Sequence, residues 1–324
     1  MKLLSIRNLK TYFYTSLGIV KAVDGLNLDI NKGEILGLVG ESGSGKSVTA
    51  LSIMRLIPDP PGKIIDGEII FKGQNLLSKA DEEMKKIRGQ NIAMSFQDPM
   101  TYLNPVLNVS DQIAEAILLH QNMTKVEALD KAIETMGMVN IPDALHRFRS
   151  YPFEFSGGMR QRLLLAIALS CKPDLLIADE PTTALDVITQ AKILELLRNL
   201  KRRIGSSILL ITHDLGIIAQ MADRVAIMYS GQIQEMANLT TIYDNPSHPY
   251  TIGLLNSIPS MVNKTRLISI KGEIPDPINP PKGCRFHPRC PYATKICLTE
   301  EPKYTKIDKG HYVKCHNWMR VENR

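Results

Sequence analysis

Solid apolar runs, more than alternating ones, set the pattern of this chain. Glu34-Ile35-Leu36-Gly37-Leu38-Val39, Asn91-Ile92-Ala93-Met94-Ser95-Phe96, Leu175-Leu176-Ile177-Ala178-Asp179, Ile208-Leu209-Leu210-Ile211-Thr212 and Val225-Ala226-Ile227-Met228-Tyr229 are each a few residues long and bounded by polar or turn residues. Runs of that length read as buried strands. Ile69-Ile70-Phe71 reads the same way. Residues 3–30 read as strands with turns, Leu3 to Ile6 and then Val20 to Ile30, with a loop at Gly18 between them. Helical spacing takes over at Val48 to Ile57, which stops at Pro58 and a loop through Gly62. It returns over 108–150, where Ile113, Ala116, Ile117, Ala132, Ile133 and Met136 mark the apolar face, and at Leu163 to Leu169. Strands interleaved with helices predict an α/β core, closed by the turn at Ser230-Gly231. The helical block lies between strand-rich blocks and reads as an inserted subdomain.

Composition narrows the class without changing that picture. At 324 residues the chain has room for one large or two medium domains, and 44% hydrophobic with 22% charged is ordinary for a globular protein. No run of eighteen apolar residues is present, and the N-terminus lacks a signal-peptide core, so a cytosolic protein is expected. The net charge of +6 is uneven: Lys264 to Arg324 holds 13 Lys/Arg against 6 Asp/Glu, a net +7, and the rest is −1. These cations are scattered among prolines and cysteines and do not line one helix face, so nucleic-acid binding is not expected.

The chemistry begins between the strand at 35–39 and the helix after it. Gly40-Glu41-Ser42-Gly43-Ser44-Gly45-Lys46-Ser47 fits the phosphate-loop pattern G-x-x-x-x-G-K-[ST] in its strand-loop-helix context. A helix start offers unpaired N–H groups and a positive dipole end to an anion. Gly43 and Gly45 let the backbone curl until several N–H groups point inward. Lys46 is predicted to reach the β- and γ-phosphates, and Ser47 to bind Mg²⁺. A second anion seat opens the helix at Ser156-Gly157-Gly158. It is either a plain cap or a seat for a nucleotide held by another chain.

Other strand ends carry the remaining candidates. Gln97 follows one apolar run with its amide at a strand's carboxyl end, where ligands bind in open α/β sheets. Asp179 and Glu180 end another; charge there is costly unless it meets a cation, so Asp179 is read as a Mg²⁺ partner and Glu180 as the group that orients or deprotonates water. His213 ends a third and could donate a hydrogen bond to a γ-phosphate. Tyr12, Phe13 and Tyr14 offer a ring for an adenine, with ordinary sheet packing the alternative for each.

Taken in order, these residues resemble the ATPase subunits of ABC transporters: the Walker A loop at 40–47, the Q-loop at Gln97, the signature at 156–158, Walker B ending at Asp179-Glu180, a D-loop at Ala184-Leu185-Asp186 and the H-loop at His213. The signature differs from the family's usual Leu-Ser-Gly-Gly-Gln in Phe155 and Met159. The resemblance implies an α/β P-loop cassette: a RecA-like core, an antiparallel β subdomain and a helical insert at about 98–165, all within 1–250, plus a small cysteine-rich C-terminal extension over 251–324. It implies ATP contacts from Phe13, Gly40, Ser42, Gly43, Ser44, Gly45, Lys46, Ser47, Val48, Gln97, Ser156, Gly157 and Gly158, with Mg²⁺ at Ser47, Gln97 and Asp179 and catalysis by Glu180 and His213. ATP would lie between two cassettes facing head to tail.

Asn245-Pro246-Ser247-His248-Pro249-Tyr250-Thr251 and the tail after it resemble the oligopeptide and dipeptide importer subfamily. That likeness implies a peripheral ATPase on the cytoplasmic face of the membrane. Its partners would be a second ATPase subunit, two permease subunits and, indirectly, an extracytoplasmic solute-binding protein. Import of another solute, such as nickel or a sugar, and a soluble non-transport ABC ATPase are the alternatives.

Four of the five cysteines, Cys284, Cys290, Cys297 and Cys315, fall in this tail, with five, six and seventeen residues between them. A proline-rich segment with little core needs a staple, and disulfides are not expected in a cytosolic chain. The spacing permits zinc, with His287, His311 or His316 as a substitute ligand, although neither pair is C-x₂-C. The importer likeness implies instead a structural [4Fe–4S] cluster on the four thiolates. Cys171 sits in an apolar helical run and reads as core.

Overall fold

The computed structural model describes residues 1–183, 185–257 and 269–319. From the N-terminus come β1 (Lys2–Thr15), β2 (Gly18–Asn31), β3 (Ile35–Val39), α1 (Lys46–Ile53), β4 (Gly62–Phe71) and β5 (Gln74–Asn75). Then follow α2 (Asp81–Ile87), β6 (Ile92–Ser95), α3 (Pro99–Tyr102), α4 (Val109–His120), α5 (Lys125–Met138), α6 (Ala144–Arg147) and α7 (Gly157–Leu169). After these lie β7 (Leu175–Asp179), α8 (Val187–Ile204), β8 (Ser207–Thr212), α9 (Leu215–Met221), β9 (Arg224–Tyr229) and β10 (Gln232–Asn238). The last are α10 (Leu239–Asp244), α11 (Pro249–Asn256), α12 (Lys295–Thr299), β11 (Thr305–Asp308) and β12 (His311–Val313). The described residues form two compact units, one from Met1–Asn31, Ile35–Leu77 and Thr212–Arg324, the other from Lys32–Glu34 and Ser78–Ile211.

In the first unit, β1 and β2 form a 14-residue by 14-residue antiparallel hairpin, and β4 and β5 complete the sheet in the order β2-β1-β4-β5. Leu4, Ile6, Leu9, Leu26, Leu28 and Ile30 are buried beneath it. The hairpin is longer than the apolar pattern predicts, because register shifts between Ile6 and Leu9 and between Thr11 and Phe13 break the alternation. The same unit holds β3 parallel to β9, and β9 antiparallel to β10. β3 is buried at every residue, as a solid apolar run requires.

The tail does not stand apart as an extension. β12 pairs with β10, and β11 with β12, so the segment between Cys297 and Cys315 adds two strands to the sheet of this unit. Its buried anchors are Phe286, His311 and Val313.

In the second unit, β6, β7 and β8 run parallel, and β7 and β8 are buried throughout. The helical block is α4 to α7. Asn108 caps α4, and Thr124 and Glu127 form a capping box at the start of α5. Ile113, Ile117, Ala132 and Met136 are fully buried, whereas Ala116 and Ile133 are only partly so. Leu118 and Leu119 on α4 face outward. Among the described residues no helix is long and apolar enough to cross a membrane.

Candidate nucleotide site

The phosphate loop spans 40–47, between β3 and α1, as the pattern predicts. Gly43 and Gly45 have φ of 78° and 106°, a backbone that side chains rarely tolerate, and Gly45 caps α1. At Gly40 a Cβ would lie 2.2 Å from the Met228 carbonyl oxygen and 2.7 Å from Ser44 Oγ. The loop is tied down from outside: the Gly231 N–H donates to the Ser44 carbonyl at 2.8 Å. The Glu41 N–H donates to the Tyr250 hydroxyl at 3.0 Å. Lys46 is 5% exposed, and its Nζ donates to the carbonyls of Gly40 and Glu41 at 2.8 and 3.0 Å. Ser44 Oγ is buried with no hydrogen-bond partner among the described residues. A buried ammonium, an idle buried hydroxyl and a curled backbone suit a phosphate chain. Ser42 and Ser47 are exposed, and Val48 is half-buried on α1.

The aromatic trio separates by environment. The Tyr12 hydroxyl donates to Asp24 at 2.6 Å, and burial together with that carboxylate raises its pKa. Phe13 is half-buried against Gly62, and Tyr14 is half-exposed. Tyr12 is thereby committed to the sheet.

Asp179 is buried at the end of β7, and Glu180 follows it with φ of 46°. Gln97 Nε2 donates to Glu180 Oε2 at 3.1 Å, and Thr183 Oγ1 donates to the same oxygen at 2.8 Å. The Glu180 N–H is held by the Ile211 carbonyl at 2.9 Å. The structure therefore brings Gln97 and Glu180 together and adds Thr183, which sequence reasoning missed. His213 is exposed one residue beyond β8, ahead of Asp214, the cap of α9. Ala184 lies outside the described residues; Asp186 caps α8, accepting from the Ile188 and Thr189 N–H groups at 3.1 and 3.0 Å.

Ser156 caps α7 and is exposed, accepting from the Met159 N–H at 3.4 Å. Gly158 is packed so tightly that a Cβ would lie 2.3 Å from Thr189 Cγ2. The departure at Phe155 has a packing reason: its ring is 2% exposed and lies 4.4 Å below the Arg147 guanidinium.

The cluster expectation for the tail does not survive. Cys284, Cys290, Cys297 and Cys315 lie within electrostatic reach of one another, yet among the described residues no group of three or more Cys, His, Asp or Glu is placed to hold a metal ion. Burial instead favours neutral thiols, pushing Cys290 up to about 11 and Cys315 up to about 12. The Cys297 sulfur is in contact with Thr294 Oγ1 at 3.4 Å and Asn317 Nδ2 at 3.7 Å. His287, His311 and His316 are engaged with the Cys284 carbonyl, Glu235 and the Glu300 carbonyl at 2.9, 2.7 and 2.9 Å. Neither the [4Fe–4S] reading nor the zinc alternative is retained. Cys171 contacts the Ala116 carbonyl at 3.5 Å in the other unit.

Comparison with known proteins decides the family. The ABC transporter profile matches residues 23–183, and that of the oligopeptide/dipeptide transporter C-terminal region matches 234–297. The oligopeptide transport ATP-binding protein AppD of Bacillus subtilis is 50% identical over 314 residues, 97% of this chain and 96% of that protein. This chain belongs to the ABC transporter ATPases. The dipeptide transport ATP-binding protein DppD of the same organism is 49% identical over 320 residues, 98% of this chain and 95% of its own length. Among solved structures, a dimeric post-hydrolysis state of the ATP-binding cassette MJ0796 bound to ADP and Pi superposes with a TM-score of 0.66. It is 28% identical and covers 73% of this chain and 98% of its own. The ABC ATPase chain binds ATP, with Mg²⁺ as the usual companion, and hydrolyses it.

Proposed function

We propose that this chain is the ATP-hydrolysing subunit that powers import of dipeptides or oligopeptides across the cytoplasmic membrane. The observation that carries the reading is the phosphate loop braced from a C-terminal region whose profile and relatives are those of peptide transporters. In this reading Lys46 binds the β- and γ-phosphates, Ser47, Gln97 and Asp179 serve Mg²⁺, and Phe13 stacks on the adenine. Mg²⁺ held by those three residues would supply positive charge to the phosphates. Glu180, oriented by Gln97 and Thr183, takes the proton of the attacking water. His213 donates to the γ-phosphate. The seat at Ser156, Gly157 and Gly158 has no phosphate-loop lysine and serves ATP held by a second cassette, a different ATPase chain in the assembled transporter.

The helical insert over 98–165 is read as the part that meets the two permease subunits. Its exposed apolar residues, among them Met100, Tyr102, Val106 and Leu119, form the kind of surface a partner covers. The extracytoplasmic binding protein acts through those subunits, and the chain sits peripherally at the cytoplasmic face. Residues 1–250 carry the catalysis, and 251–324 add Arg289 to the bracing given by Gly231 and Tyr250; 258–268 and 320–324 of the latter stretch lie outside the described residues.

Reconstitution with the permeases and partner cassette in vesicles tests the reading. Peptide-loaded binding protein should raise ATP hydrolysis and drive peptide uptake. Stimulation by a nickel- or sugar-loaded protein in place of a peptide-loaded one would overturn it.

A further inference from the structure

Glu41 is the first variable residue of the phosphate loop, and the C-terminal part of the chain grips it twice. Its backbone N–H donates to the Tyr250 hydroxyl at 3.0 Å. Its carboxylate receives both arms of the Arg289 guanidinium, Nη1 to Oε2 at 2.7 Å and Nη2 to Oε1 at 3.1 Å. Its carbonyl, in turn, accepts from Lys46 Nζ at 3.0 Å and from the Ser44 N–H at 3.2 Å. One residue thus joins the tail to the two loop groups best suited to phosphate.

Arg289 is itself fixed. Its side chain is 4% exposed, its Nε donates to the Lys271 carbonyl at 3.1 Å, and its guanidinium stands 5.7 Å from the Tyr229 ring centre. The planar fork matches a carboxylate as a lysine ammonium does not. A buried cation so placed also cancels the one formal negative charge among residues 40–47, beside a seat meant for the phosphates of ATP.

We propose that Arg289 is a positioning residue for nucleotide binding: it neutralises and holds Glu41, sets the first half of the phosphate loop, and makes ATP affinity depend on the C-terminal segment. The proposal rests on the ATPase assignment of the loop and adds a residue 248 positions away from Glu41. Because coupling between two sites is reciprocal, bound nucleotide must in turn steady the segment around Arg289.

The test uses the full chain for equilibrium titration with Mg-ATP and the assembled transporter for kinetics. Arg289→Ala should weaken Mg-ATP binding about 10- to 100-fold, the usual range for a lost charged hydrogen-bond pair, and raise KM alike while kcat stays within about twofold. Arg289→Lys should lose less. The double variant Arg289→Ala, Glu41→Gln should regain most of the affinity, since no unpaired carboxylate then opposes the phosphates. In the wild-type chain, Mg-ATP should slow amide exchange over 269–290, a reading that needs no variant to fold. Wild-type binding in the same titration is the control for the ATPase assignment itself. Arg289→Ala with a lowered Tm but wild-type affinity overturns the proposal, as does an exchange pattern over 269–290 that ignores nucleotide.

Discussion

The two proposed anion seats share one plan, a glycine-rich loop opening a helix, and they differ in everything around the glycines. At 40–47 the seat is sunk: Lys46 and Ser44 are buried, and Tyr250, Arg289 and Gly231 hold the loop from outside. At 156–158 the seat is shallow: Ser156 and Gly157 are exposed, and the nearby Arg160 points its Nε at the Pro152 carbonyl, 2.9 Å away. A seat with its own buried cation can bind phosphate unaided, because desolvated charge interacts strongly. An exposed seat built of one hydroxyl and backbone N–H groups needs its anion delivered. The contrast supports the proposed composite site, in which each chain holds one nucleotide by the first seat and touches a partner's nucleotide with the second.

Separating binding from chemistry gives the largest expected effects. Glu180→Gln keeps the shape of the site and removes the proposed base, so hydrolysis in the assembled transporter should fall about 10²- to 10⁴-fold with Mg-ATP binding intact. Lys46→Ala should abolish binding at the first seat, and hydrolysis with it. Both are read by paired titration and phosphate-release assays. Near-normal hydrolysis by Glu180→Gln would remove Glu180 from the mechanism.

The second seat offers a smaller and more local contrast. Gly158→Ala places a methyl where Thr189 Cγ2 already sits, 2.3 Å from the ideal Cβ. Overpacking of that kind costs about 1–3 kcal/mol and should shift the start of α7. ATP binding should persist at the first seat while turnover falls, and Thr189→Ser, which deletes that methyl, should restore turnover in the double variant. Loss of ATP binding in Gly158→Ala would mean that the two seats are not independent.

The sequence shows the first seat clearly because its glycines are geometric necessities: φ of 78° and 106° leaves few substitutes. The buried strands β3, β7 and β8 are legible for a similar reason, being solid apolar runs. α1 is less so. The apolar pattern runs to Ile57, but the helix ends at Ile53 because Arg55 turns left-handed at φ of 50°. The brace was hidden, since nothing local marks Arg289 as the partner of a residue 248 positions earlier; the unexplained positive charge of the tail was the one available signal. The cysteines misled for the converse reason. Their spacing invites a metal, but ligation depends on how burial and neighbouring donors treat each thiol, which spacing does not encode.

The smallest effect at neutral pH is expected from His248, and acid should enlarge it. His248 caps α11, its Nδ1 accepting from the Tyr250 N–H at 3.0 Å, so it stands behind the hydroxyl that holds Glu41. Burial pushes its pKa down to about 4, against the pull of Glu235, which also bonds His311 at 2.7 Å. The unfolded imidazole titrates near 6.5. A depressed folded value means that the contribution is fully present above about 6.5 and is lost as pH falls towards 4, on the order of 3 kcal/mol in all. His248→Asn keeps an acceptor for the cap and cannot titrate. Its Tm should therefore fall less steeply than wild type between pH 6.5 and pH 4. Amide exchange should localise the difference: over that interval the wild type should loosen at 40–47 before it loosens at 156–169. Equal loosening of both seats, or parallel Tm curves for the two proteins, would show that the first seat is not braced through α11.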